Sequence, residues 1–183
     1  MRTAANDRIF TVEEYIQNEL TSERKHEFVN GQLFEMPGEK DINNEIAFAI
    51  ALVLHRFLKD KGYTLYSHDM KVAIPGGSKY YYPDVFVTKE EKNDSNSYIK
   101  YNPEIIVEVV SESSQVTDYV DKYIDYTKIP SLHYYLIIEP ETILITVYSR
   151  DENNNRVAHK YTRMEDIVKL EKFGFEFAVK DVY

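Results

Sequence analysis

The chain has 183 residues, 31 acidic and 22 basic, for a formal net charge of −9 and no cysteine. That length suits a single domain over residues 1–183, with a core large enough to need no covalent staple. The missing thiols exclude a disulfide framework, a thiolate zinc site, an iron–sulfur cluster and a cysteine nucleophile, and the acidic balance argues against a basic nucleic-acid coat protein. No apolar run reaches the ~18 residues a membrane helix needs, and the N-terminal Met1–Tyr15 stretch lacks an apolar signal core. A cytoplasmic protein of bacterial type, not attached to a membrane, is the expectation. The charge is uneven: residues 55–80 hold Arg56, Lys59, Lys61, Lys71 and Lys79 against Asp60 and Asp69. This is either an ordinary solvated face or an edge that meets phosphate.

Thr11-Val12-Glu13-Glu14 has the form of a capping box, so a short helix should start there and end near Leu20. Lys25–Met36 reads as a hairpin turning at Asn30-Gly31. The longest helix should span 42–60, with Ile46, Ile50, Val53 and Phe57 at helical spacing and Gly62 as the stop. It is apolar on most sides, as for a helix buried against a sheet. Tyr63–Tyr66 and Met70–Ile74 read as short strands, and Pro75–Ser78 as a turn. Tyr80–Thr88 is a strand interrupted by Pro83, which cannot donate to a ladder. Lys89–Ser97 reads as a loop. Glu104–Val110 is a nearly continuous apolar run, as in a central strand covered on both faces. An amphipathic helix should follow over 116–128, ended by Pro130. His133–Ile138 and Thr142–Tyr148 form a second hairpin, 151–156 a polar loop, and the tail after Lys160 short strands. Together these give a mixed α/β or α+β layer fold.

Two acids stand where a strand should be apolar. Glu108 interrupts Ile105-Ile106-Val107-Glu108-Val109-Val110, and Asp84 follows Pro83 in the aromatic strand. Separately, Glu108 is the partner of a buried cation and Asp84 a turn acid at a strand edge. Together, on neighbouring strands, they point into one pocket, where like charges resist joint ionisation unless a divalent cation intervenes. Oxygen donors alone select Mg²⁺, or Mn²⁺ in its place, over zinc. Asp118, Lys122 and Tyr126 recur at i, i+4 and i+8 on one helix face. The pair is either a surface ion pair worth a few tenths of a kcal/mol or a lysine turned toward the acids. Ser111-Glu112-Ser113-Ser114 is the strand-to-helix turn, where anions are favoured. The five histidines show no zinc spacing, and neither a Gly-rich phosphate loop nor a G-x-S-x-G elbow occurs. Sixteen tyrosines either stack on bases or pack the strands.

Pro83-Asp84, Pro103, Ile106–Ser111, Asp118-x₃-Lys122-x₃-Tyr126, Tyr134–Pro140 and the hairpin Glu27–Met36 resemble, in order and spacing, the Uma-two family of restriction-endonuclease-like proteins. The resemblance spans about residues 10–150 and leaves 151–183 as a strand extension. It implies the PD-(D/E)XK nuclease architecture, a mixed β-sheet core flanked by helices with a metal-bound acidic pair. Carried over, Asp84 is the aspartate and Glu108 the glutamate of that motif. The superfamily lysine position, two residues after the glutamate, is Val110 here, and Lys122 takes its place from the next helix. The histidine that often opens the long helix is absent, and Glu45 is either a substitute metal ligand or a first-turn acid favoured by the helix dipole.

The leading expectation is a Mg²⁺-dependent endonuclease acting on DNA, without an organic cofactor. Asp84, Glu108 and the Val109 carbonyl would hold the ion, Lys122 would position water, and Tyr126 would steady Lys122 or contact phosphate. The rivals are a non-catalytic nucleic-acid- or protein-binding module on the same scaffold, and a homodimeric assembly protein with tyrosine-rich strands at its interface. A homodimer also suits an enzyme that cuts two strands.

Overall fold

Thr11 opens helix α1 (Val12–Thr21) with the anticipated capping box: its hydroxyl accepts from the Glu14 amide, and the Glu14 carboxylate accepts from the Thr11 amide. The protein is described by a computed structural model covering residues 8–36, 38, 40–91, 98–111, 114–151, 153 and 155–183. Most of the loop expected over Lys89–Ser97, the middle of the Ser111–Ser114 turn, and parts of 151–156 lie outside the described residues.

Strands β1 (His26–Val29) and β2 (Gln32–Glu35) form the first hairpin. Asn30 and Gly31 both have positive φ, 51° and 89°, as a primed turn demands. A Cβ on Gly31 would also meet the Ile9 side chain at 2.7 Å, so the close approach needs glycine. Helix α2 (Asp41–Leu58) buries Ile46, Ile50, Leu54 and Leu58. The inward stripe thus differs from the one expected, because Phe57 turns outward and stacks on Phe175 at 5.0 Å. Phe48 and Leu52 are exposed as well.

The expected strand over Tyr80–Thr88 is two strands in two sheets. Strand β5 (Lys79–Tyr81) joins a five-stranded sheet in the order β2-β1-β5-β4-β7, with β4 at Lys71–Ala73 and β7 at Ile99–Lys100. Strand β6 (Val85–Thr88) joins a six-stranded sheet with β3 (Thr64–Ser67). Pro83, lacking an N–H, sits where the chain passes from one sheet to the other.

The six-stranded sheet runs β11-β10-β9-β8-β6-β3. Its centre is β8 (Pro103–Val109), antiparallel to β6 and parallel to β9 (Tyr134–Glu139). Strand β10 (Leu144–Arg150) completes the second hairpin, and β11 (Arg156–Tyr161) is an edge strand. One face of this sheet, with Val85, Ile105, Val107 and Val109, packs against α2 and the C-terminal hairpin of β12 (Ile167–Leu170) and β13 (Phe175–Ala178). The C-terminal residues Val168, Phe173, Phe177 and Val182 belong to this main core, so the segment after 150 is not a mere extension. The opposite face, with Phe86, Ile106, Val110, Tyr135 and Ile137, packs against Tyr126, Ile129 and Leu132 and against Val72, Ile74 and Tyr81.

The helix expected over 116–128 is partly π-helical, at Thr117–Lys122, and continues as α3 (Tyr123–Tyr126). A π segment changes the residues per turn and re-aims the side chains beyond it. Arg150 closes its far end by donating to the carbonyls of Thr127, Ile129 and Leu132. Among the described residues no helix is long and apolar enough to cross a membrane.

Candidate active site

Alternation along β8 sends Val107 and Val109 to the α2 face and Ile106, Glu108 and Val110 to the α3 face. Glu108 is therefore delivered into an otherwise apolar layer, and only 3% of it is exposed. A bare carboxylate there is costly without partners. The helix supplies two: the Lys122 ammonium and the Tyr126 hydroxyl each donate to Glu108 Oε1 at 2.9 Å. Both bonds fall on one carboxylate oxygen. Tyr126 thus meets the acid itself, on the same oxygen that Lys122 engages.

Asp84 comes from the neighbouring strand. The β6–β8 register pairs Val85 with Val107, and one more step sets Asp84 opposite Glu108. Its Oδ2 accepts the Val109 amide at 2.6 Å, which ties the acid to the strand that carries Glu108. The His68 amide donates to the Asp84 carbonyl at 3.2 Å, and His68 Nδ1 lies 3.8 Å from Asp84 Oδ1. His68 holds this place with a positive φ of 53°. Asp84 is thus a built-in element of the junction between the sheets, not a loose turn acid.

Lys122 is the hub. Besides Glu108 it meets Asp118 at 3.0 Å and Glu27 at 3.4 Å. The Asp118–Lys122 pair is buried, so the surface ion-pair reading of that spacing is overturned. Glu27, from β1, is wholly buried and also accepts the Tyr82 amide at 3.4 Å. Sequence reading placed Glu27 in a hairpin but assigned it no part in the site. No local signal marks it, because its burial comes from elements distant along the chain, Lys122 and Tyr82 among them.

Three carboxylates thus share one ammonium, with Asp84 close by. The consequence shows at Glu108. Desolvation pushes its pKa up to about 8 against the downward pull of Lys122, and the Asp118 and Asp84 charges push the same way. The site is short of positive charge. Asp84, Glu108 and the Val109 carbonyl are hard oxygen donors of the kind that suits Mg²⁺ or Mn²⁺. Among the described residues no three His, Asp or Glu side chains are grouped as a metal site. Among the described residues Glu45 makes no hydrogen bond with Asp84 or Glu108. Its place on α2 is exposed, whereas Asn43, two residues earlier, turns inward.

The family model described as "Uma2: Putative restriction endonuclease" matches residues 12–180. The chain belongs to the Uma2 family. The match continues through the C-terminal hairpin, well past residue 150. Two relatives are from Synechocystis sp. (strain ATCC 27184 / PCC 6803 / Kazusa). Uncharacterized protein sll1609 is 33% identical over 141 residues, which is 76% of this chain and 80% of that one. Uncharacterized protein slr1290 is 28% identical over 172 residues, 93% of this chain and 90% of that one. A crystal structure of "a putative nuclease belonging to DUF820" from Anabaena variabilis ATCC 29413 superimposes with a TM-score of 0.78 at 14% identity, covering 94% of this chain and 97% of that one. The Uma2 chain therefore has the fold of that nuclease-like structure, and its α+β architecture is the one expected.

Proposed function

We propose that this protein is a divalent-metal-dependent endonuclease that hydrolyses DNA phosphodiester bonds. The observation that carries this reading is the charge deficit at Glu108, a buried carboxylate facing Asp84 with one ammonium shared among Glu108, Asp118 and Glu27. Asp84, Glu108 and the Val109 carbonyl would hold Mg²⁺, with Mn²⁺ as a substitute. Such an ion, when bound, lowers the pKa of an attacking water and offsets charge on the phosphate. The Val109 amide fixes the Asp84 carboxylate, and Tyr126 fixes Glu108. Lys122 orients the nucleophile and faces the charge that develops on the phosphate. A homodimer would present two such sites to two strands.

The direct test is plasmid cleavage with Mg²⁺ or Mn²⁺ by the wild type and by Glu108→Gln, which keeps the shape and removes the charge. Cleavage by the wild type alone supports the assignment. Equal cleavage by both removes Glu108 from the chemistry. One observation favours a second reading, a nucleic-acid-binding module without catalysis: Lys122 is 6% exposed and already engaged by three carboxylates. Under that reading DNA is bound, and no divalent ion elicits cleavage.

A further inference from the structure

A separate cavity of about 270 Å³ opens beside the site, between the end of α1 and the start of β4. Its walls include Lys71, Tyr82, Tyr98, Lys25, Asp69 and Glu19. Lys71 is unusual among them because it is 5% exposed yet points its ammonium at two rings, Tyr82 at 5.0 Å and Tyr98 at 5.9 Å. Among the described residues that ammonium makes no hydrogen bond and no ion pair. Burying a lysine with only ring faces for company is costly, since cation–π contact returns roughly 0.5–2 kcal/mol. Burial accordingly pulls the Lys71 pKa down, with Glu19 pulling the other way.

Two of the three acids of the cavity are committed elsewhere. Glu19 accepts the Tyr82 hydroxyl at 2.8 Å and His26 Nδ1 at 2.8 Å, Asp69 is paired with Lys25, and Glu23 faces solvent. Among the described residues Lys71 is the one cation of the cavity wall without a carboxylate partner. Tyr98 is 58% exposed, so its ring is open for stacking at the mouth. Tyr82 is two residues from Asp84, and its amide donates to Glu27, so the cavity adjoins the acidic cluster along one stretch of backbone.

We infer that this cavity is a second binding site, in which Lys71 takes a backbone phosphate of a polynucleotide and Tyr98 stacks on the adjoining base. The choice of a polymer rests on the nuclease reading, whereas the phosphate site itself does not. An ammonium seeks an anion, and an open ring beside it suits a nucleotide better than a bare carboxylate. The basic stretch 55–80 noted in the sequence contributes Lys71 to this pocket.

Binding is measured in EDTA, so that the acidic pair plays no part, by fluorescence anisotropy of a short labelled single-stranded oligodeoxynucleotide. Thymidine 5′-monophosphate and inorganic phosphate serve as competitors. Lys71→Met is expected to weaken binding about tenfold and to reduce the dependence on log salt by about one unit. Tyr98→Ala, at an exposed position where folding is not at stake, should weaken it at least about fivefold. Lys71→Arg should retain binding. Unaltered affinity and salt slope in both Lys71→Met and Tyr98→Ala would overturn the site. Displacement by the mononucleotide or by phosphate as effective as by unlabelled oligonucleotide would overturn the polymer assignment. Lys71-dependent binding by a protein that never cleaves DNA would leave this site standing and remove the nuclease reading. Cleavage with no effect of Lys71→Met or Tyr98→Ala would do the reverse.

Discussion

Two buried ion clusters lie on the same short helical stretch, and they are opposites. At Asp125 one carboxylate receives Lys79 at 2.6 Å, Lys128 at 2.7 Å and the Tyr81 hydroxyl at 2.7 Å. At Lys122 one ammonium is shared among the carboxylates of Glu108, Asp118 and Glu27. Burial opposes ionisation at both acids. At Asp125 the hydrogen bonds from Lys128, Lys79 and Tyr81 overcome it, and the pKa falls below the usual value. At Glu108 burial wins, and the pKa rises to about 8. The first cluster is electrically complete and serves to pin the helix to β5. The second lacks positive charge, a deficit that natural folds retain where function needs it.

The largest expected effect separates the two clusters by activity. Glu108→Gln should lower Mg²⁺-dependent cleavage by about 10³-fold, whereas Asp125→Asn should keep the rate per folded molecule. Equal losses in both variants would erase the distinction. Stability should sharpen it. Lys122→Met strands three buried carboxylates and should cost about 3–5 kcal/mol in urea unfolding. Asp125→Asn should cost about 2 kcal/mol, because Lys128 is half exposed and Asn still accepts a hydrogen bond.

The pH dependence follows from the raised Glu108 pKa. The folded state binds this proton more tightly than the unfolded chain, so its contribution is fully present below about 4.5 and is lost as pH rises toward about 8. Wild-type stability should decline across that window more steeply than that of Glu108→Gln, as measured by urea midpoints at a series of pH values. A matching slope in the two proteins would contradict the assigned shift. The smallest effect is expected of Tyr126→Phe, which removes one hydrogen bond to Glu108 and should cost about 1 kcal/mol.

Local chemistry was legible in the sequence where a few adjacent residues decide it. The Thr11–Glu14 cap, the Asn30-Gly31 turn and the acid inside the β8 run all fall in this class. Lys122 was legible through its helical spacing from Asp118 and Tyr126, although the π segment between them was not. What was hidden depended on distant packing. Glu27 reads only as part of a hairpin, and it is buried because the helix that carries Lys122 and the Tyr82 backbone close over it. Tyr80–Thr88 reads as one strand because the residues on both sides of Pro83 favour extension, and nothing local says that they join different sheets. Strand β11 is mostly exposed, so Arg156–Lys160 shows no apolar alternation. Phe57 and Leu54 are both apolar, and only the sheet beneath α2 selects which one is buried.

The central claim is that the Asp84–Glu108 pair accepts a divalent cation. Calorimetric titration of Mn²⁺ into the wild type and into Asp84→Asn tests it without requiring turnover. Saturable binding near one ion per chain, lost in the variant, is the predicted result. Absence of saturable heat in the wild type, or an unchanged isotherm in Asp84→Asn, would contradict it.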